Sequence, residues 1–381
     1  MLLFTIFSQI FSFNINASQT QINWPTEEWE RAAPSKVHMK LSNIDEMINY
    51  IEEWNENHFF SNIDSILVVK DGYLISEEYF GLWNTNDVHA QWSVTKSVTS
   101  ALIGIAIKKG YIQSINEKVL NFFQDRNISN VDYRKEAITI EHLLMMSTGL
   151  AYPGDDAIWG SWMNAPDQVQ HILDLPMAQM PGTIFNYDTG GSHLLSAIIE
   201  KATNMSTLEF AEKNLFSPLG ITHYYWLFDK QGTNYGGHGL YLESQDMAKF
   251  GYLYLSNGIW ENEQILPIDW VVNTTQTKWS FNNQWGYAEQ WWKHPHLNAY
   301  TALGRYGQRI TVIPDENLII VFTGTISDAD SEPHLEIIEN YIITALKNNQ
   351  YFISLIGILP IIIALPYLII LIYNRKRRKE S

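Results

Sequence analysis

Cysteine is absent from the 381 residues. That excludes disulfide staples, a thiolate nucleophile and a thiolate metal site, and leaves cysteine usage silent about redox compartment. Basic residues are scarce: 25 Lys and Arg stand against 41 Asp and Glu, a formal charge of −16. The acidic balance argues against nucleic acid as a partner. Several catalytic signatures are also missing. No serine stands in G-x-S-x-G ("GGSHL" ends in Leu194), and H-E-x-x-H, G-x-G-x-x-G and the Walker A pattern do not occur. Neither internal repeats nor low-complexity tracts are found. What is abundant is apolar: 46% of residues are hydrophobic, with 14 Trp and 20 Tyr, the composition of a chain that buries a large core.

Two stretches lack charge and are long. "FISLIGILPIIIALPYLIILIY", Phe352 to Tyr373, is followed by the basic run Arg375 to Lys379. A helix of that length spans about 33 Å, enough to cross a bilayer core, and membrane helices tolerate its two prolines. The expectation is one transmembrane helix over 352–373. Residues 374–381 form its basic cytoplasmic tail, and everything before 352 lies outside the cytoplasm. The first 17 residues read as a signal peptide or an uncleaved N-terminal anchor, although no basic residue precedes their apolar part. Residues 18–40 read as a lead-in linker and 41–349 as one globular domain. Asn127, Asn204 and Asn273 begin N-x-S/T sequons.

Within the domain, Ile44, Met47, Ile48, Ile51 and Trp54 recur at helical spacing, with Ser42 as a plausible N-cap. "SILVVKDGYLISEEYFG" (Ser65 to Gly81) reads as two strands around an Asp71-Gly72 turn. A second hairpin spans Gly304 to Gly324, turning at Pro314, Asp315 and Asn317, and an amphipathic helix follows from Pro333. Between about Asn116 and Leu297 the pattern is helix- and loop-rich. This suggests an antiparallel sheet shared by the two ends of the domain, with a large helical insertion between.

Ser93 is the only serine with a lysine three residues on, Lys96, and the pair opens the apolar run "SVTKSVTSALIGIAIKKG". Positions i and i+3 share a helix face, so the hydroxyl and the amine can meet. Serine is a poor nucleophile without a base, and lysine serves as one only when burial or a nearby cation depresses its pKa. A helix N-terminus adds N–H groups suited to an oxyanion. The bland alternative is an N-capping serine with a solvated first-turn lysine. Trp92, Val94, Val98, Leu102 and Ile105 point instead to a buried helix start.

Five further segments accompany this motif: "ITIEHLLMMSTGL" (138–150), "PGTIFNYDTGGSHLLSAIIEKATNMSTLEFAEKNLFSPLGI" (181–221), "GGHGLYLESQDMAKFGYLYLSNGIWENEQILPIDWV" (236–271), "WGYAEQWW" (285–292) and "ALGRYGQRITVIPDENLIIVFTG" (302–324). In this order they resemble the serine β-lactamase and penicillin-binding-protein superfamily, whose S-x-x-K motif Ser93 and Lys96 match. The resemblance leans to the class C β-lactamase-like hydrolases, among them esterases and 6-aminohexanoate-dimer hydrolases. It implies an α+β, β-lactamase/transpeptidase-like fold, with an antiparallel sheet flanked by helices. It implies Ser93 as acylated nucleophile, Lys96 as base and Tyr187 as acid/base relay. The backbone N–H groups of Ser93 and Gln308 would form the oxyanion hole, and Thr189, Arg305, Tyr306 and Gly307 would bind substrate. No cofactor is implied. Two departures stand out. Thr189 replaces an asparagine, and Arg305 replaces a lysine or histidine, keeping charge that can hold a carboxylate or depress Lys96.

The activity expected is therefore hydrolysis of an ester or amide bond in a small molecule or peptide. A D-amino-acid peptidase, transpeptidase or β-lactamase of the same chemistry is the alternative, and a catalytically silent ligand-binding surface protein is the alternative of another class. Other residues read blandly. His294 and His296 flank a proline without a third ligand, so no metal site is expected. His238 reads as a structural loop histidine rather than a cleft residue. Asp155 and Asp156 read as a solvated turn rather than acid/base carboxylates. Glu289, Trp291 and Trp292 read as aromatic core rather than substrate wall.

Overall fold

The computed structural model describes residues 24–327, 330 and 333–346. The expected signal peptide or anchor (1–17), the expected transmembrane helix (352–373) and the expected tail (374–381) lie outside the described residues. Helix α1 (Leu41–Asn57) leads into strands β1 (Ile63–Lys70) and β2 (Tyr73–Tyr79), joined at Asp71-Gly72 as the sequence suggested. Helix α2 (Val94–Lys108) carries Lys96, with Ser93 at its N-terminal boundary. Helices α3 (Asp155–Asn164), α4 (Thr189–Thr203) and α5 (Ser244–Leu255) come from the middle of the chain. Six more strands follow: β3 (Trp279–Ser280), β4 (Gly286–Tyr287), β5 (Trp292–His294), β6 (Ala299–Leu303), β7 (Arg309–Ile313) and β8 (Leu318–Gly324). Helix α6 (His334–Ile337) continues as a wider turn over Ile338–Ile343.

The eight strands form one sheet in the order β2-β1-β8-β7-β6-β5-β4-β3. The two ends of the domain do share it: β1 pairs antiparallel with β8, Leu67 opposite Val321 and Val68 opposite Ile320. Every residue of β1 and β8 is buried, because helices cover both faces. The pleat sorts the side chains. Leu67, Val69, Ile319 and Val321 join the core beneath α2, α4 and α5, whereas Ile66, Val68, Ile320 and Phe322 meet α1 and α6 through Ile44, Met47, Ile51, Ile337 and Ile338.

Three expectations need correction. Residues 24–40 are not a free linker: Trp29 is buried, its ring edge-on to Tyr252, and Val37 and Met39 join the core under α1. Ser42 does not cap α1, whose boundary residue is Lys40 with no side-chain cap. The middle of the chain is less purely helical than expected. It contributes β3, β4 and β5 to the main sheet, and a small sheet pairs Val88–Ala90, Leu240–Glu243 and Tyr224–Trp226. Strands of two to four residues are too short to display alternation.

Candidate active site

Helix α2 is buried all round, from Val94 to Ala106, and Lys96 is only 1% exposed. The solvated-lysine alternative therefore fails. Ser93 fails as an ordinary cap too, since its side chain makes no capping bond. Instead Lys96 Nζ donates to Ser93 Oγ, Thr189 Oγ1 and the Gly237 carbonyl, each at 2.9 Å. Those three bonds use all the donors of an ammonium. Gly237 reaches Lys96 because it has no Cβ, which would stand 2.7 Å from Thr189 Cγ2.

Burial lowers the Lys96 pKa to about 8, against the charges of Asp155 and Asp188, which raise it. The depression expected from Arg305 is not its source. Tyr187, half-buried at the foot of α4, faces Lys96 with its ring 4.8 Å from Nζ and stacks near Trp292. Burial pushes its phenol well above 10, so it is neutral at rest.

The Tyr187-Asp188-Thr189 departure now has a structural account. Asp188 caps α4, accepting from the Gly191 N–H at 2.7 Å. Thr189, the first helical residue, donates its hydroxyl to Asp155 Oδ2 at 2.6 Å and its N–H to Asp155 Oδ1 at 3.2 Å. Tyr152 also donates to Asp155. Asp155 is thus a site residue and not a solvated turn. Its partners are 3 and 34 residues away, a pairing that no local spacing displays.

A cavity of about 680 Å³ opens over the cluster, lined by Ser93, Asp155, Tyr187, Thr189, Arg305 and Tyr306 among others. Arg305 is half exposed at its mouth, 3.9 Å from the exposed Asp156. His238, read as a loop position, forms part of the wall against Trp159, and burial keeps it neutral by lowering its pKa to about 3. Gly307 and Gln308 follow Tyr306 at the turn into β7 and do not line this cavity. Glu289 and Trp291 are buried, with Glu289 paired to Lys278, whereas Trp292 stands beside Tyr187. His296 pairs with Glu339, and His294 is buried against Trp285.

Comparison with known proteins agrees with this geometry. The Beta-lactamase family model matches residues 64–338. The 6-aminohexanoate-dimer hydrolase of Paenarthrobacter ureafaciens is 21% identical over 338 residues, covering 81% of this chain and 84% of that protein. Penicillin-binding protein 4* of Bacillus subtilis is 28% identical over 232 residues, 57% of this chain and 47% of that protein. The lovastatin esterase of Penicillium rubens matches a shorter stretch, 30% identical over 112 residues, 27% of this chain and 28% of that protein. Among solved structures, a candidate 6-aminohexanoate-dimer hydrolase from Bacillus anthracis superposes with a TM-score of 0.70 at 21% identity, over 86% of this chain and 90% of that one. The octameric penicillin-binding protein homologue from Pyrococcus abyssi gives 0.65 at 20% identity, over 79% and 77%. A match over most of the domain, on a fold that brings a serine, a buried lysine and a tyrosine into contact, means that the chain belongs to the beta-lactamase family of serine hydrolases.

Proposed function

We propose that the protein is a membrane-anchored, extracytoplasmic serine hydrolase that cleaves an ester or amide bond in a small molecule or peptide through an acyl-enzyme on Ser93. The observation that carries the chemistry is the buried Lys96 amine 2.9 Å from Ser93 Oγ, with the Tyr187 ring against the same amine. As a neutral amine, Lys96 turns its lone pair to Ser93 and keeps two N–H bonds, to Thr189 and Gly237. Ser93 Oγ attacks the carbonyl carbon and its proton passes to Lys96. The oxyanion rests against the Ser93 backbone N–H at the start of α2, and one such donor is worth about 3 kcal/mol. The leaving group departs with a proton delivered through Tyr187. Water then attacks the ester on Ser93 by the reverse proton route and frees the acid.

The breadth of the relatives, which include an amide hydrolase, a penicillin-binding protein and an esterase, supports this substrate range. Arg305 at the cavity mouth suits a substrate carboxylate. The anchoring follows from the uncharged stretch 352–373 and the basic run behind it.

Intact-mass spectrometry of the full chain with a fluorophosphonate, a penicillin and a p-nitrophenyl ester tests the chemistry. One adduct is expected, and it disappears in Ser93→Ala. A folded wild-type protein that none of the three probes labels would sink the reading and leave a silent ligand-binding domain. A penicillin adduct that outlasts the ester adduct would move the assignment toward the peptidase or transpeptidase branch.

A further inference from the structure

A second cavity, of about 370 Å³, adjoins the first. Trp92 and Tyr306 belong to the walls of both. Their rings meet edge to face at 5.1 Å, and both backbones are left-handed, with φ of 46° at Trp92 and 63° at Tyr306. Bulky residues avoid that region, and such strain collects at ligand clamps. The partition between the cavities is therefore held under tension by the residues that flank the chemistry. Trp92 precedes Ser93, and Tyr306 stands two residues before Gln308.

The walls of the second cavity are largely apolar and aromatic, with Trp83 and Tyr241 joining Trp92 and Tyr306. Its one acidic side chain among the described residues is the carboxylate of Asp64. Asp64 is 3% exposed, and no lysine or arginine lies on the described wall. Gln308, also 3% exposed, donates its side-chain amide to the Gly324 carbonyl at 2.6 Å. Its Oε1 has no hydrogen-bond partner among the described residues. His89 is no counter-ion. Its Nδ1 lies 3.9 Å from Asp64 and its Nε2 3.4 Å from Thr323 Oγ1, and burial lowers its pKa to about 4, so it is neutral. Burial also lifts Asp64 to about 7, against the opposing effect of the neighbouring Trp83. A buried carboxylate on a largely aromatic wall, with no cation beside it among the described residues, suits a cationic ligand.

We infer that this second cavity is a subsite for an aryl or alkyl group ended by a primary ammonium, with Asp64 as its counter-charge. That its occupant is one arm of the substrate, reaching past the Trp92–Tyr306 partition, rests on the hydrolase reading. The binding itself does not.

The test is calorimetric titration of the full-chain Ser93→Ala variant with benzylamine and with benzyl alcohol. Benzylamine is expected to bind about tenfold more tightly, the ratio that one charge-assisted hydrogen bond supplies. Asp64→Asn removes that preference while retaining the alcohol affinity. Asp156→Asn, which alters the exposed carboxylate of the first cavity, leaves it intact. Equal binding of amine and alcohol, loss of the preference in Asp156→Asn but not Asp64→Asn, or no binding of either probe would each overturn the inference. Thermal unfolding of Asp64→Asn shows whether it is folded. Were it unfolded, competition of benzylamine with p-nitrophenyl ester turnover in Tyr306→Ala, whose partition is removed, decides instead. Weakened inhibition supports the subsite and unchanged inhibition refutes it. Amine binding without ester turnover in the wild type would fault the hydrolase reading alone. Turnover without amine binding would fault the subsite alone.

Discussion

Thr189 turns one hydroxyl into a joint between two charges. Its Oγ1 accepts from Lys96 and donates to Asp155, so its rotor has one orientation. An asparagine there would offer the lysine a fixed carbonyl. A threonine needs a second partner, and Asp155 is that partner. Tyr187, Asp188, His238 and Ser93 are the other titratable or polar groups around the amine, and of these Asp188 shares with Asp155 the effect of raising its pKa. Asp155→Asn keeps the shape and removes the charge, so the Lys96 pKa falls further below about 8. Because the neutral amine is the reactive form, kcat/KM rises with pH through the Lys96 pKa. The Asn variant should therefore show its acid limb at lower pH, with a reduced plateau. A pH–rate profile on a p-nitrophenyl ester checks this, and an unmoved limb would mean that Lys96 does not feel Asp155. Thr189→Val breaks the joint outright and should cost up to about 10²-fold in kcat, the scale of losing a positioned group. Ser93 and Lys96 could be paired in the sequence from their spacing, whereas Tyr187 was pointed to only by the family resemblance. Asp155 was not legible, because an aspartate after Pro-Gly is also the commonest kind of turn. Only the arrival of α3 beside α4 separates the two.

At the level of elements, α2 shows why the site is rigid. Gly104 lies inside this helix, where glycine ordinarily costs about 1 kcal/mol relative to alanine. Yet a Cβ at Gly104 would stand 2.6–2.7 Å from three atoms of the Trp270 ring. An indole cannot yield as a flexible chain end does, and overpacking a core costs about 1–3 kcal/mol. The second effect should win. Gly104→Ala is expected to lower the urea midpoint, and a raised midpoint would show that Trp270 repacks freely. The β1–β2 and β7–β8 hairpins were legible from Asp71-Gly72 and from Pro314 to Asn317, since those turns permit few alternatives. Helix α2 was legible from its apolar length. The short strands β3 to β5 were not, because two or three residues gain their conformation from the neighbouring strand rather than from their own pattern.

Across the whole molecule, both cavities depend on parts distant in sequence. Asp64 and His89 come from the first quarter of the chain, and Tyr306 and Gln308 from the last. That is why the second cavity could not be foreseen. The anchor is tested at this scale as well. The full chain should sediment with membranes after expression and resist salt extraction, whereas a chain ending at 349 should be released. Release of both by salt alone would refute a spanning segment. The pairing of β1 with β8 carries a consequence of timing. β1 is synthesised early and is apolar on both faces, but its partner leaves the ribosome roughly 250 residues later. At translation rates of about 5–20 residues per second, that delay is on the order of ten seconds to a minute. Throughout it a strand built for the centre of a sheet has only β2 beside it, and loop closure over such a span is slow. The open edge of β1 is therefore exposed to wrong partners from the time the first hairpin emerges, and the yield in a host is expected to rise when holding chaperones are supplied.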